Sequence, residues 1–234
     1  MRFAIYYTPG RDDPLTRRAA DWLGRDPFSG GPAQPPAVST LSPAEIAFHT
    51  AAPRRYGFHA TLKAPFELKS TETEAGLADE LARFASRTQP FPVTLVIGRI
   101  EGFFALVPAA PAPLLNRLAD DVVEGFDRFR APLSEAEIER RNPDALSAEE
   151  FRNLHRWGYP YVFETFRFHM TLTGRVGAGE ADRVRAALDE VFSPLLAAPV
   201  AIDGLALFAE REPGAPFGVH SYSPFARQEE RKSA

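Results

Sequence analysis

The sequence predicts an α+β fold in which one unit is duplicated, giving a bilobal domain of two antiparallel sheets flanked by helices around a central cleft. Phe-His-Ala-Thr-Leu at 58–62 returns as Phe-His-Met-Thr-Leu at 168–172, about half a chain later. Each copy is followed by a helix pattern and then by further strand patterns. Two motif strands that are related in this way can pair across a pseudo-twofold axis.

The predicted halves cover residues 1–130 and 161–226. Between them, residues 131–160 break the pattern with a charged, helical stretch, which we interpret as a connecting insertion. A polar tail follows at 227–234. We therefore expect one bilobal domain in which each half contributes one motif strand to the cleft.

The first elements are predicted by β-forming and punctuating residues. Residues 3–7 are rich in β-formers and precede a Pro-Gly turn, which predicts a strand. Asp13 before a proline predicts a helix over 14–23 that stops at Gly24. Residues 25–40 are rich in proline and contain adjacent glycines, so they predict a long loop.

Capping boxes, apolar stripes and strand patterns predict the remaining elements. In the first half these are a short helix from the Ser42/Glu45 capping box, the motif strand at 57–68, a helix from the Thr71/Glu74 capping box, strands at 91–97 and 100–107 joined near Gly98, and a helix at 112–128. In the insertion they are two helices with capping boxes Ser134/Glu137 and Ser147/Glu150, on either side of a turn at 142–144. In the second half they are the motif strand at 166–174, a helix at 180–192, and strands at 199–209 and 216–222.

Composition limits the class of protein. The 234 residues include no cysteine and carry a formal net charge of −4, which excludes disulfides and thiolate chemistry and disfavours long nucleic acid as a partner. No apolar run approaches the roughly 18 residues of a membrane span, and the N-terminal segment turns polar too early for a signal peptide. We expect a cytoplasmic protein without membrane contact; the oligomeric state is left open.

The motif strands place chemistry on one face. Side chains alternate along a strand, so His59, Thr61 and Lys63 are predicted to share the front face. The second copy places His169, Thr171 and Thr173 in the same way. Two imidazoles and two hydroxyls would then surround one small cavity.

These groups suit acid–base work at a phosphate. A histidine has a pKa of about 6.5, so one imidazole can accept a proton while its neighbour donates one. Threonine hydroxyls can donate hydrogen bonds to phosphoryl oxygens as charge develops there. We expect hydrolysis of a small cyclic phosphate, with no cofactor and no metal.

Three other interpretations compete with this one. A single His-x-Thr is more often structural, but its repetition favours a site. A zinc site would need further ligands such as His155, Glu164 or His220, and none stands at a recognised spacing. A binding module for phosphorylated nucleotide or RNA-end ligands would use the same groups without turnover.

The repeated motifs resemble the two-histidine (2H) phosphoesterase superfamily, which has a duplicated bilobal α+β fold with a central cleft. Further blocks resemble a bacterial branch named for phosphonate metabolism, and these are residues 54–63, 130–133, 157–162 and 166–173. The resemblance implies metal-independent opening of a cyclic phosphodiester by His59, Thr61, His169 and Thr171. It implies either a ribose cyclic phosphate linked to phosphonate metabolism or a nucleoside 2′,3′-cyclic phosphate as substrate.

Other residues are candidates for contacts with the substrate. These are Lys63, Thr173, Tyr56, Arg55 and Tyr6. The aromatic residues Trp157, Tyr159 and Tyr161 are expected to pack rather than to bind. The Arg140-Arg141 pair is expected to lie on a solvated helix face.

Overall fold

Eight α-helices and nine strands lie along residues 1–226, the part of the chain that the computed structural model describes. The helices are α1 (Pro14–Leu23), α2 (Pro43–His49), α3 (Ala51–Arg54), α4 (Glu74–Ala85), α5 (Pro113–Phe126), α6 (Glu135–Glu139), α7 (Ala148–Trp157) and α8 (Ala181–Phe192). The strands are β1 (Arg2–Tyr7), β2 (Ala60–Phe66), β3 (Phe91–Val93), β4 (Leu95–Ile100), β5 (Phe103–Pro108), β6 (Met170–Arg175), β7 (Val200–Ile202), β8 (Gly204–Glu210) and β9 (Gly218–Pro224). The predicted tail at 227–234 lies outside the described residues.

The strands form two antiparallel sheets, which confirms the predicted fold class. The larger sheet has the order β4-β5-β6-β2-β1-β8-β9, and β3 pairs with β7 in the smaller one. The two motif strands, β2 and β6, are neighbours at the centre of the larger sheet, where Ala60 lies opposite Met170. The same order of elements occurs twice, as β2-α4-β3-β4-β5 and as β6-α8-β7-β8-β9.

The two faces of the larger sheet are buried differently. Helices α1, α4, α5 and α8 contribute apolar side chains to the main core on the back face, which includes Phe3, Ile5 and Tyr7 of β1. A smaller cluster includes the alternate residues of the same strand, Ala4 and Tyr6, and we call its side of the sheet the front face. Its other buried members are Ala206, Phe208 and Phe217.

Several predicted helix ends and capping boxes are present in the structure. Helix α1 begins at Pro14 and ends before Gly24, whose φ of 74° gives the left-handed cap that glycine favours. Capping boxes form at Ser42, Ser134 and Ser147. No helix within residues 1–226 is long and apolar enough to cross a membrane.

Two local predictions were wrong. Thr73, rather than Thr71, caps α4, because its side chain accepts a hydrogen bond from the Gly76 amide at 3.1 Å. Gly98 lies inside β4 and not in the connection to β5. A Cβ at this glycine would lie 2.6 Å from Val107 Cγ2, so the position is kept small by packing. The turn is formed at 101–102 instead, where φ is 47° and 95°.

Candidate active site

The two motif histidines are held in the same way, one residue before each motif strand. His59 Nδ1 lies 2.9 Å from the carbonyl oxygen of Gly57, and His169 Nδ1 lies 2.7 Å from that of Arg167. A carbonyl oxygen only accepts hydrogen bonds, so each Nδ1 carries the proton and donates it. In both rings Nε2 is then the nitrogen that is left for chemistry.

The strand register brings the two histidines and the two threonines together. Ala60 lies opposite Met170 in the antiparallel pair of β2 and β6. Extending this register by one residue on each side places His59 opposite Thr171 and His169 opposite Thr61. Side chains opposed in this way have Cβ atoms about 5 Å apart. The charge of His169 also lowers the pKa of His59, as expected for near neighbours.

In both motif strands, the regular alternation of side chains between the two faces of the sheet ends after the threonine. Thr61 lies opposite Tyr6, but the register shifts before the next pair, Lys63 and Ile5. On the other strand, Thr171 lies opposite Ala105, and the register again shifts before the following pair. The first shift adds one residue to β2 and the second adds two residues to β6, so the regular pairing of side chains ends after each threonine.

Lys63 is therefore not where the alternation predicted. It lies opposite Ile5, a core residue, and only 4% of it is exposed. Its Nζ donates hydrogen bonds to the Val123 carbonyl at 3.1 Å and to the Asp127 carboxylate at 3.3 Å. Burial lowers the pKa of Lys63 to about 8, although Asp127 opposes this shift. The structure places Lys63 as a buried ion-pair residue rather than as a group exposed in the cleft.

The predicted front-face position of Thr173, the counterpart of Lys63 in the second half, was also wrong. Only 1% of it is exposed, and its hydroxyl oxygen accepts a hydrogen bond from the Phe104 amide at 2.9 Å. The hydroxyl thus satisfies a backbone group at the register shift between β5 and β6. This contact leaves Thr173 inside the sheet, away from the front face where it was expected.

Tyr6 lies directly against His59. The two rings stack with 3.9 Å between centroids and 24° between planes. Tyr56 and Phe208 complete the aromatic surroundings, each with its ring centroid 6.0 Å from that of His59. Burial in these surroundings lowers the pKa of His59 to about 4, although the hydrogen bond to Gly57 opposes the shift. His59 is consequently neutral at pH 7.

Arg55 lies beside the same aromatic cluster and is held by a buried carboxylate. Its guanidinium carbon is 5.6 Å from the Tyr56 ring centroid, and its Nη2 bonds Glu210 at 2.5 Å. Glu210 is 1% exposed and also binds Arg2. Burial alone would raise the pKa of Glu210, but hydrogen bonds from Arg2 and Arg55 lower it to about 2. The Arg55 Nε is buried with no hydrogen-bond partner among residues 1–226.

The sequence reasoning missed Arg2, Glu210 and Phe208. Arg2 and Glu210 pair across 208 residues, so no local spacing connects them. One signal was available for β8: its seven residues, Gly204–Glu210, form a nearly continuous apolar run, which is typical of a strand buried on both faces. A glutamate that ends such a run is a candidate for a buried charge with a distant partner.

Gly57 connects His59 to the predicted loop at 25–40. Its φ is 76°, and a Cβ there would lie 2.7 Å from Pro27 Cβ. Pro27 is fixed in turn, because its carbonyl oxygen accepts a hydrogen bond from the Val219 amide at 2.8 Å. Arg25 bonds the Phe217 carbonyl at 2.6 Å. This part of the loop therefore packs against the segment that orients the His59 ring.

A cavity beside Asp127 is separate from the histidine pair. It has a volume of about 270 Å³ and is lined by Lys69, Asp127, Arg130, Pro132, Leu133, Ile138, Leu154 and His155. None of the four motif residues lines it. We identify the candidate site by its chemistry rather than by cavity size.

The residues weighed as additional metal ligands have other neighbours. His155 packs on Phe151 with 4.4 Å between ring centroids, and His220 lies 3.3 Å from the Glu74 carboxylate. Within residues 1–226, no group of three or more His, Cys, Asp or Glu side chains is arranged to hold a metal ion.

Solved structures with a similar arrangement of elements share little sequence with this chain. TT0787 of Thermus thermophilus is 18% identical, with a TM-score of 0.45 over 98% of this chain and 100% of that one. E. coli LigT complexed with 3′-AMP is 15% identical, with a TM-score of 0.42 over 97% and 98%. A third, titled as a phosphoesterase, is 14% identical, with a TM-score of 0.41 over the same shares.

Sequence relatives are closer but longer. "Ribose 1,5-bisphosphate phosphokinase PhnN" of Janthinobacterium sp. (strain Marseille) is 39% identical over 99% of this chain and 52% of its own length. The protein of the same name from Laribacter hongkongensis (strain HLHK9) is 36% identical over 93% of this chain and 50% of its own. This chain thus spans about half the length of these relatives. A family model described as "Protein of unknown function (DUF1045)" matches residues 61–218, which include the second motif and all of β2 except Ala60, and the chain belongs to this family.

Proposed function

We propose that this protein is a cytoplasmic cyclic phosphodiesterase that opens a small cyclic phosphate with two histidines and no metal. One observation carries the proposal. His59 and His169 make the same Nδ1–carbonyl hydrogen bond just before neighbouring strands, which supports a site in which both Nε2 atoms face the two threonine hydroxyls. A histidine with a purely structural role does not require a second histidine in the same arrangement, whereas acid–base catalysis at a phosphate uses two groups that carry protons.

The roles follow from the surroundings of each ring. His59 acts as the base, because burial lowers its pKa to about 4 and keeps it neutral. Its Nε2 accepts a proton from water as the water oxygen bonds to phosphorus. The ring P–O bond then breaks, and His169 Nε2 donates its proton to the departing alkoxide. The product is a phosphate monoester, and the two histidines return to their starting states by proton exchange with solvent.

The threonines stabilise the charge that develops on the phosphoryl oxygens. Thr61 and Thr171 lie opposite the two histidines in the extended register, within reach of the same phosphate. Each hydroxyl donates one hydrogen bond to a non-bridging oxygen. Loss of one such donor costs about 10²–10³ in kcat in comparable sites.

The substrate class is a small phosphorylated ribose, either a ribose cyclic phosphate linked to phosphonate metabolism or a nucleoside 2′,3′-cyclic phosphate. The name of the longer relatives, which refers to ribose 1,5-bisphosphate, supports a phosphorylated ribose. Their kinase activity is not proposed for this chain. It has no Gly-x-x-x-x-Gly-Lys-Ser/Thr loop, the motif by which many kinases hold nucleotide phosphates.

Phosphorus-31 NMR in EDTA tests the proposal. The wild type, His59→Ala and His169→Ala would each be incubated with ribose 1,2-cyclic phosphate, nucleoside 2′,3′-cyclic phosphates and 3′,5′-cyclic nucleotides. The matched control is His155→Ala, at an exposed histidine outside the motifs. We expect ring opening in the wild type and the control, and a loss of about 10²–10⁴ in rate in each motif variant. Binding without turnover in the wild type would favour the binding module. Activity that survives both motif substitutions would refute the two-histidine mechanism.

A further inference from the structure

The segment between α5 and β6 brings an arginine side chain against an aromatic ring. Tyr159, which follows α7, lies with its ring centroid 5.5 Å from that of Tyr161 at 82°. The guanidinium carbon of Arg141 lies 5.1 Å from the Tyr159 centroid, within the range of a cation–π contact. The sequence predicted a solvated helix face for Arg141; instead it is half-buried and lies against an aromatic ring.

Among residues 1–226, Arg141 has no partner of opposite charge, whereas four other arginines near the sheet have one. Arg130 and Arg156 approach the Asp127 carboxylate, and Arg2 and Arg55 bind Glu210. No carboxylate lies within 4.0 Å of the Arg141 guanidinium among residues 1–226. Stacking on Tyr159 orients its planar group but uses none of its N–H donors, so these remain available for an anion.

Tyr159 lies beside β2, because it lines a small cavity together with Lys63 and Ala64. The rings around His59 are those of Tyr56, with 6.0 Å between centroids, and Tyr6, which stacks on it at 3.9 Å. Burial raises the pKa of Tyr159, Arg141 lowers it, and Tyr56 raises it further. Tyr56 and Tyr159 also raise the pKa of Tyr6, in addition to burial. Charges influence one another in this way within on the order of 10 Å, about the length of a phosphorylated sugar.

We propose that Arg141, backed by Tyr159, binds a second phosphate group on the substrate, so that the preferred cyclic phosphate carries a phosphate monoester at the other end of its sugar. This inference rests on the proposed function and specifies its substrate. The cyclic phosphate lies between His59 and His169, and the sugar extends past Tyr56 toward the insertion; Tyr6, predicted to contact the substrate, is 1% exposed and supports the His59 ring from within the sheet. Guanidinium groups bind phosphate oxygens bidentately, which gives the contact direction as well as strength.

Matched substrate pairs test the inference. Ribose 1,2-cyclic phosphate and adenosine 2′,3′-cyclic phosphate would each be assayed with a free 5-hydroxyl and with a 5-phosphate. In the wild type we expect the 5-phosphate to raise kcat/KM by about 10- to 100-fold, the range of a charge-assisted hydrogen bond or two. In Arg141→Ala this ratio should fall close to one, and Arg141→Lys should restore part of it. Arg140→Ala, the exposed neighbouring arginine, should keep the wild-type ratio.

Other outcomes separate this inference from the proposed function. A wild-type ratio near one, or a ratio that Arg141→Ala leaves unchanged, would overturn the role of Arg141 even if rings are opened. If no cyclic phosphate is opened, calorimetry with ribose 5-phosphate and ribose tests the anion site alone. Binding of ribose 5-phosphate that weakens about tenfold in Arg141→Ala would support it. Equal binding of ribose 5-phosphate by both proteins would show that Arg141 forms no anion site. In a parallel titration of the wild type, adenosine bound as tightly as AMP would show that base stacking, rather than an anion site, holds the ligand.

Discussion

His59 and Tyr6 stack with 3.9 Å between ring centroids, and no ring within residues 1–226 stacks on His169 in the same way. The difference arises on the strands that flank the motif pair. Tyr6 of β1 lies opposite Thr61, whereas Ala105 of β5 lies opposite Thr171. In the described part of the chain, the ring beside His169 is that of Phe103, with 5.8 Å between centroids. One aromatic residue in place of an alanine therefore makes two matched histidines chemically unequal.

Replacing the Tyr6 ring should raise the pKa of His59. In Tyr6→Leu, water reaches the imidazole and the desolvation that lowers its pKa to about 4 is reduced, so the value should move toward 6.5. Tyr6→Phe keeps the ring and should leave the pKa low. Carbon-13 NMR titration of the histidine Cε1 signals measures both. An unchanged His59 pKa in Tyr6→Leu would show that another group sets it; Phe103→Leu, beside His169, serves as the second control.

The pH dependence of activity should have its acid limb near pH 4. The base must be neutral, so kcat/KM should rise with pH through the pKa of His59, which burial lowers to about 4. The unfolded chain binds this proton at about pH 6.5. The free energy of unfolding should therefore fall as pH drops from about 6.5 to about 4, and this part of the dependence should be absent in His59→Ala. Rate profiles and urea unfolding across this window measure the two effects, and an acid limb near pH 6.5 would contradict the assignment.

The local part of this architecture was predictable, and the part that depends on pairing between strands was not. Asp13 and its proline predicted α1 correctly because capping uses neighbouring residues only. The repeat predicted that the motif strands meet, since a duplicated unit favours a twofold pairing. Register shifts depend on the partner strand, so nothing within β2 indicated that Lys63 turns away from the front. Arg141 and Tyr159 belong to an insertion whose packing no repeat constrains.

Glu210 is predicted to stabilise the fold through its two arginines. Glu210→Gln removes the charge that binds Arg2 and Arg55, and we expect a loss of about 2 kcal/mol in the free energy of unfolding at pH 7. The folded pKa of about 2 lies below the unfolded value, so the contribution is complete above about pH 4.5 and is lost as pH falls toward 2. Urea unfolding measures it. Glu74→Gln is the control, because that carboxylate is more exposed. Equal losses in both variants at pH 7 would contradict the prediction.

Lys63→Met tests the corrected placement of this lysine. The side chain is buried beside Asp127, which keeps Arg130 and Arg156 as partners. Removal of one partner of a buried ion pair is costly when the other charge is left unpaired, but Asp127 keeps its two arginines, so we expect stability to change by less than about 1.5 kcal/mol. We expect KM to change by less than about twofold. A tenfold rise in KM with an unchanged melting temperature would mean that Lys63 contacts the substrate after all.

Gly57 is predicted to be intolerant of a side chain for reasons of space. Gly57→Ala meets both a positive φ of 76° and Pro27, so we expect a loss of more than about 2 kcal/mol and a lower kcat, because the carbonyl that orients His59 moves. Gly30→Ala is the matched control, with φ of 72° and nothing within 4 Å. It should lose only about 1 kcal/mol. Chemical unfolding and kcat, measured in parallel for both variants, distinguish their effects. Equal losses in the two variants would show that Pro27 moves aside to make room for the added methyl group.

The register shifts that follow Thr61 and Thr171 have a consequence for the size of the substrate. Alternate residues on a strand lie about 6.6 Å apart, and neighbouring strands about 4.8 Å apart. Because each strand presents one histidine and one threonine before it turns, the four side chains enclose a patch of roughly these dimensions. Such a patch has about the size of a single tetrahedral phosphate. A polyphosphate chain cannot lie flat on it, and the rest of any substrate must rise out of the sheet. The register shifts in the two strands thus limit the size of the reacting group that fits between the four side chains.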